Sequence, residues 1–430
     1  MRTSESLPVN DREAAMPPSL QGAARELFLL MLLLSLWSTV TNAIPVSVAF
    51  VVLTPLFAVA LPRNRSMPAA AFATLMMILY FILSTLIYAP ESFLAPEFYR
   101  RDGNVFVTFL PVLVGGLVAV RTNLGVVFRR FLLWAGGMNA VCVALYLTTG
   151  GTIVYNEEGV YHFLFEAHNA AGGYLAMVTA FSLGIYFTSR KIKRAFWGVL
   201  VLSNLIGLWL TASRGSIVAL LGAVVFVRAL RERYLKTMIA VSAVSLIALL
   251  SFTYPYWLSL GRPLDLSENT KTETIESKDA NTLQRALYLW PRAVYLFLES
   301  PIVGTGYGSY NDIPYELSGV PHLVEFNHTS EPVYNSAHAH NTYLHVLAET
   351  GLVGFALMIM MLVKMRQSFE SINAPEVQLG FRLAFWMAVF SAMTEHRLFT
   401  PSEMLPFTIL YGLALANSRW DAARSNSKSP

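Results

Sequence analysis

The sequence predicts an all-α, polytopic membrane protein of about twelve spans. Three observations carry that expectation. Hydrophobic residues make up 55% of the 430 residues and charged residues 13%, against roughly 45–50% and about 25% in a soluble domain. Apolar runs long enough to cross a bilayer recur along the chain, with one long polar interruption over about residues 255–341. Basic residues collect in alternate connections between those runs, the pattern that fixes orientation in a membrane.

Residues 1–25 are polar, contain the Pro17-Pro18 break and read as a disordered tail. Leu27 to Val40 ends in small residues, as a secretory leader does. Yet Glu5, Asp11, Glu13 and Glu26 outnumber Arg2, Arg12 and Arg25, which is wrong for a basic leader, so an uncleaved first helix is expected. Runs near 44–61, 68–89, 105–120, 128–147, 170–188, 195–211, 215–230 and 237–254 complete nine helices within residues 26–254. Three more, near 342–363, 377–394 and 401–417, fill residues 342–417 and leave 418–430 as a second tail. An even count places both tails on one side.

Arg63, Arg65, Arg121, Arg129, Arg130, the Arg190-Lys191-Ile192-Lys193-Arg194 run, Arg228, Arg231, Arg233, Lys236, Lys364 and Arg366 share the face of the tails. The opposite short connections hold only Arg100, Arg101, Arg214 and Arg397. This bias makes the tails cytoplasmic and the 255–341 loop external. The net charge of +4 is therefore an orientation signal, and no nucleic-acid partner is read from it. The single cysteine, Cys142, excludes an intrachain disulfide.

Within the loop, Asn281 to Leu298 has amphipathic helical spacing with Arg285 and Arg292 interspersed. It reads as a helix broken near Pro291 and lying on the membrane surface. Ser300-Pro301-Ile302-Val303-Gly304-Thr305-Gly306-Tyr307-Gly308 follows. This glycine run lacks the strand, helix and downstream acid of a dinucleotide site and reads as a turn.

All eight histidines fall on or near the external side: His162, His168, His322, His328, His338, His340, His345 and His396. The densest stretch, from Ala337 to Gly354, begins where the polar loop gives way to an apolar helix. His345 and Glu349 are four residues apart and share a helix face; His340 and Asn341 precede the helix and can present a ring and an amide to a ligand. Ionisable groups at such an edge are functional candidates. An imidazole of ordinary pKa, about 6.5, suits a general base, and a satisfied structural histidine is the alternative. His338 and His340 also offer metal ligands, but spacing supplies no complete set, and neither metal nor cofactor is assigned. Arg214, between two apolar runs, must face water, a partner or an anion at the external edge, where paired guanidinium donors suit phosphate. An interface anchor is the other reading, as a lipid-headgroup contact is for Arg285.

These residues carry a resemblance. Ser213-Arg214-Gly215, Arg285 followed by Pro301-Ile302-Val303-Gly304-Thr305-Gly306, and His340-Asn341-Thr342-Tyr343-Leu344 continuing to Glu349-Thr350-Gly351-Leu352-Val353-Gly354 resemble the O-antigen ligase and polymerase superfamily of bacterial membrane glycosyltransferases. The resemblance implies a C-type membrane fold and a metal-independent, inverting transfer from an undecaprenyl-diphosphate-linked glycan at the periplasmic face of the inner membrane. Carried over by position, Arg214 and Arg285 engage the donor diphosphate and His340 acts on the acceptor hydroxyl. Asn341, His338, His345 and Glu349 are the further substrate-binding candidates. Ligase-like transfer to lipid A-core is the first expectation, and joining of lipid-linked repeats by an O-antigen or exopolysaccharide polymerase the second. A transporter of lipid-linked glycan is the alternative from another class; it calls for two related halves with interrupted spans, and no internal repeat stands out.

Overall fold

The computed structural model describes chiefly residues 67–95, 101–150, 160–237, 290–311 and 338–426, with a few positions between 22 and 35 and at 98–99. The regular elements among the described residues are helices: α1 (Ala69–Tyr88), α2 (Asn104–Leu117), α3 (Leu124–Thr148), α4 (His168–Thr188), α5 (Lys191–Leu210), α6 (Arg214–Val224), α7 (Trp290–Glu299), α8 (Thr342–Ser368), α9 (Pro375–Ser391) and α10 (Pro401–Asn426). Five of these, α1, α3, α4, α5 and α8, are long and apolar enough to cross a membrane. Nine of the expected spans thus coincide with helices. The expected span at 44–61, most of those at 27–40 and 237–254, and most of the external loop lie outside the described residues.

The bundle is organised around α4. It packs against α5, α9 and α10, while α10 also lies along α2 and α8 along α1. Phe128, Phe181, Phe381 and Phe407 meet there with centroids 5.2–6.3 Å apart, a separation suited to edge-to-face packing. The outer helices turn apolar residues outward. Val199, Leu202 and Trp209 on α5 are each more than half exposed, as a lipid-facing surface requires. Where α2 meets α10, a Cβ on Gly115 would lie 2.0 Å from the Gly412 carbonyl oxygen, so only glycine permits that approach of backbones.

Two elements differ from expectation. The amphipathic helix expected over Asn281 to Leu298 is described over Trp290–Glu299, and its part before Trp290 lies outside the described residues. Ala293, Val294 and Leu296 are buried with Leu344 and Ala348 of α8, so this helix packs on protein as well as presenting Tyr295 and Leu298 outward. The span expected at 215–230 is α6 closed by a turn of π-helix, Val225–Ala229. Beyond it, Arg231 and Glu232 take left-handed conformations, with φ of 48° and 57°. Glu232 is held there by Arg366 Nε and Arg382 Nε, each donating at 3.0 Å.

Candidate functional site

The site is built where α8 begins. Asn341 caps that helix: its Oδ1 accepts from the Tyr343 and Leu344 amides at 3.0 and 3.1 Å, satisfying two of the N–H groups that a helix start leaves unpaired. Its Nδ2 donates to the Met393 carbonyl at 3.0 Å. The Thr342 amide donates to the Ala392 carbonyl and the Thr342 hydroxyl to that of Glu395, at 2.9 and 3.1 Å. The start of α8 is thereby docked on the short connection between α9 and α10.

That docking brings two side chains together. His340 Nδ1 lies 2.7 Å from Glu395 Oε2. A carboxylate only accepts, so Nδ1 carries the proton and Nε2 is left as the basic nitrogen. His340 reaches this position with φ of 46°, an uncommon conformation for a residue with a Cβ, and its side chain remains 38% exposed.

Behind the pair, the other ionisable groups turn inward. His345 and Glu349 are fully buried; His345 Nε2 sits 3.1 Å from Asp102 Oδ1 and 3.2 Å from Glu349 Oε2. Glu349 Oε1 also accepts the Tyr310 amide at 2.9 Å. His338 and His396 stack in parallel at 4.9 Å beside them. Burial alone would raise the Asp102 carboxyl, but the His345 hydrogen bond and the surrounding rings hold it well below the usual carboxylate range. Burial, reinforced by neighbouring cationic groups, pushes His338 down to about 3 and His396 well below its ordinary value, so both rings are neutral.

The glycine run mates with a break in α8. Gly351, with φ of 60°, interrupts the helix, which frees carbonyls before it and amides after it. Gly306 N–H donates to the Glu349 carbonyl at 2.8 Å, and the Leu352 and Val353 amides donate to the Pro301 and Ile302 carbonyls at 2.8 and 3.1 Å. A Cβ on Gly304 would lie 2.2 Å from the Glu349 carbonyl oxygen. The run is thus a turn fitted into a helix break, as its lack of dinucleotide context suggested.

Arg214 opens α6 and is exposed. The turn carrying it is gripped from below by the buried Arg397, whose guanidinium donates to Ser213 Oγ at 3.2 Å and to Ser216 Oγ, and whose Nε lies 3.3 Å from Glu403 Oε1. A Cβ on Gly215 would lie 2.9 Å from Thr394 Oγ1. One connection, residues 392–397, therefore touches both the Arg214 turn and the His340 turn. Arg285 lies outside the described residues.

Comparison with known proteins bears on the family. Residues 199–359 match the family described as O-Antigen ligase. Exopolysaccharide production protein ExoQ of Rhizobium meliloti (strain 1021) is 27% identical, with 74% of this chain and 71% of that protein aligned. These matches support the resemblance to the O-antigen ligase and polymerase superfamily. The O-antigen ligase match encloses Arg214, Arg285, His338, His340, Asn341, His345 and Glu349, and it supports a membrane enzyme that acts on lipid-linked polysaccharide.

The sequence reading missed the partners of these residues. Asp102, Glu395 and the roles of His396 and Arg397 lie outside the O-antigen ligase match. A signal was present: Thr394-Glu395-His396-Arg397 crowds three ionisable groups between two apolar runs, where each must find a partner. What spacing does not show is that this connection folds onto a segment more than fifty residues earlier.

Proposed function

We propose that the protein is an inverting glycosyltransferase that moves glycan from an undecaprenyl-diphosphate donor to a sugar hydroxyl at the periplasmic face of the inner membrane. The observation that carries this reading is the His340–Glu395 pair, which leaves an exposed ring with a basic Nε2 at the mouth of a membrane bundle. The acceptor oxygen attacks the anomeric carbon while His340 Nε2 takes its proton. The bond from that carbon to the diphosphate oxygen breaks, and the electron pair departs with the diphosphate. One displacement inverts the anomeric centre.

Charge grows on the leaving group as that bond lengthens, so donors fixed in advance help the transition state more than the ground state. Arg214, held in its turn by Arg397, supplies one guanidinium; Arg285 is assigned the second. Two guanidinium groups at the diphosphate give the neutralisation that a magnesium ion gives elsewhere, so transfer should not be stimulated by added magnesium or manganese. Asn341 spends its amide on the helix cap and positions His340. His338, His345 and Glu349 are buried, and their contribution is to support that position rather than to touch the glycan.

For the acceptor, we favour a second lipid-linked repeat unit. The relative aligned over most of both chains takes its name from exopolysaccharide production, and an exported polysaccharide is lengthened without a lipid A anchor. Ligation to lipid A-core is the second reading, favoured by the description of the matching family. Purified protein given lipid-linked glycan with either acceptor separates the two. Lengthening of the lipid-linked chain supports polymerisation, product on lipid A-core supports ligation, and movement of intact donor across a vesicle with no new bond contradicts both. Orientation is tested with single cysteines in a Cys142-free background: Ser277→Cys should react with an impermeant thiol reagent in intact cells, and Ser189→Cys should not.

A further inference from the structure

Asp102, His338, His345 and His396 come from three separated parts of the chain, yet the ligand atoms they offer all lie within 4.8 Å of one another. Asp102 Oδ1 is the centre, 3.1 Å from His345 Nε2 and 3.9 Å from His338 Nδ1. The His396 ring meets that of His345 edge to face, with centroids 4.4 Å apart. Asp102 and His345 are fully buried, and His338 and His396 nearly so. Among the described residues, His338 Nδ1 and both ring nitrogens of His396 have no hydrogen-bond partner. Each buried polar atom left so costs about 1–3 kcal/mol, which makes three of them around one carboxylate a cluster that calls for a ligand.

We propose that these four residues bind one divalent transition-metal ion of the zinc class in a closed site. Three imidazoles and one carboxylate form a donor set suited to zinc, whereas magnesium and calcium take oxygen ligands. Bonds of about 2.0–2.1 Å in a tetrahedron put ligand atoms roughly 3.3 Å apart. Asp102 Oδ1 and His345 Nε2 already have about that separation, and His338 and His396 close the remainder by ring rotation. The Arg101 guanidinium, 3.5 Å from His338 Nε2, lies on the far edge of that ring and leaves Nδ1 as the ligand atom. Glu349, beside His345 Nε2, stands next to the ligand set.

The placement gives the ion a purpose. His338 lies two residues before His340, and His396 directly follows Glu395, so the two segments that carry the His340–Glu395 pair on one side carry metal ligands on the other. An ion there clasps the segments together and anchors both to the start of α2 through Asp102. With all four positions filled by protein, it takes no part in the transfer itself. The sequence reading counted His338 with His340 and lacked a ligand set; the fold supplies His345, His396 and Asp102 instead.

The test is the metal content of full-length protein, purified in detergent on a tag without histidines and analysed by mass spectrometry. Wild type should hold about one zinc or other first-row dication per chain, and the His338→Ala/His396→Ala double variant less than about a tenth of that. Should the double variant fail to accumulate, wild type stripped with a strong chelator serves instead. Zinc alone should then raise its unfolding midpoint, and cobalt should give the visible absorption of a tetrahedral site. Wild type purified without metal whose stripped form shows neither response would overturn the proposal. Metal content is read without a transfer assay, so its failure leaves the transferase reading standing, and the reverse.

Discussion

His340 Nδ1 and Glu395 Oε2 are 2.7 Å apart although 55 residues separate them in the chain. The carboxylate fixes the tautomer and aims Nε2 outward, so its loss should disturb the chemical step more than donor binding. A hydrogen bond to a charged group contributes about 1.5–3 kcal/mol, or roughly 10- to 100-fold in rate. Glu395→Ala should lower kcat by that factor and leave KM for the donor nearly unchanged. A rise in KM at constant kcat would place Glu395 in binding instead.

Arg214→Lys keeps the charge and loses the planar pair of donors. If the guanidinium grips the diphosphate, transfer should fall about 10- to 100-fold with the melting temperature unchanged, because the side chain is exposed. Wild-type turnover in the purified variant would make Arg214 an interface anchor.

Gly304 holds φ of 79° with no room for a Cβ. Gly304→Ala should therefore cost about 1–3 kcal/mol or more through backbone strain and displacement of the turn from the α8 break. Thermal unfolding measures this, with Gly137→Ala as the control, since nothing among the described residues lies within 4 Å of a Cβ there.

At the other end of the bundle, burial would raise the Glu232 carboxyl, but hydrogen bonds from Arg366 and Arg382 hold it below its ordinary value. The unfolded chain then takes up the proton first. The contribution of this group is complete above about pH 4.3 and is lost as pH falls from there through the depressed folded value. Melting curves across that window should fall more steeply for wild type than for Glu232→Gln. Parallel curves would show that the two arginines do not hold the carboxylate.

The helices were legible because a bilayer imposes a single local rule: each span must be long, apolar and self-satisfied in its hydrogen bonds. Leu124–Thr148 and His168–Thr188 meet that rule in their own residues. His340, Arg214 and the paired glycine motifs stood out for a different reason, as a resemblance to a family that the O-antigen ligase match supports. The partners were not. Glu395 reaches His340, and Asp102 reaches His345, only through tertiary packing of helices remote in sequence, and no periodicity reports such a contact. Asn341 looked available to a ligand until the helix start claimed its amide. Burial turned His345 and Glu349 away from the surface, a distinction that spacing on one helix face does not make.

The most direct test of the central claim is a single-turnover transfer assay with purified protein, lipid-linked glycan donor and a lipid-linked acceptor, comparing wild type with His340→Ala. Acid–base help from a positioned histidine is commonly about 10²–10⁴-fold. The variant should lose at least that much bond formation while still binding donor, and His345→Ala should lose less. Full transfer by His340→Ala, or a dead His345→Ala beside an active His340→Ala, would contradict the assignment and move the base into the buried cluster with Asp102 and Glu349.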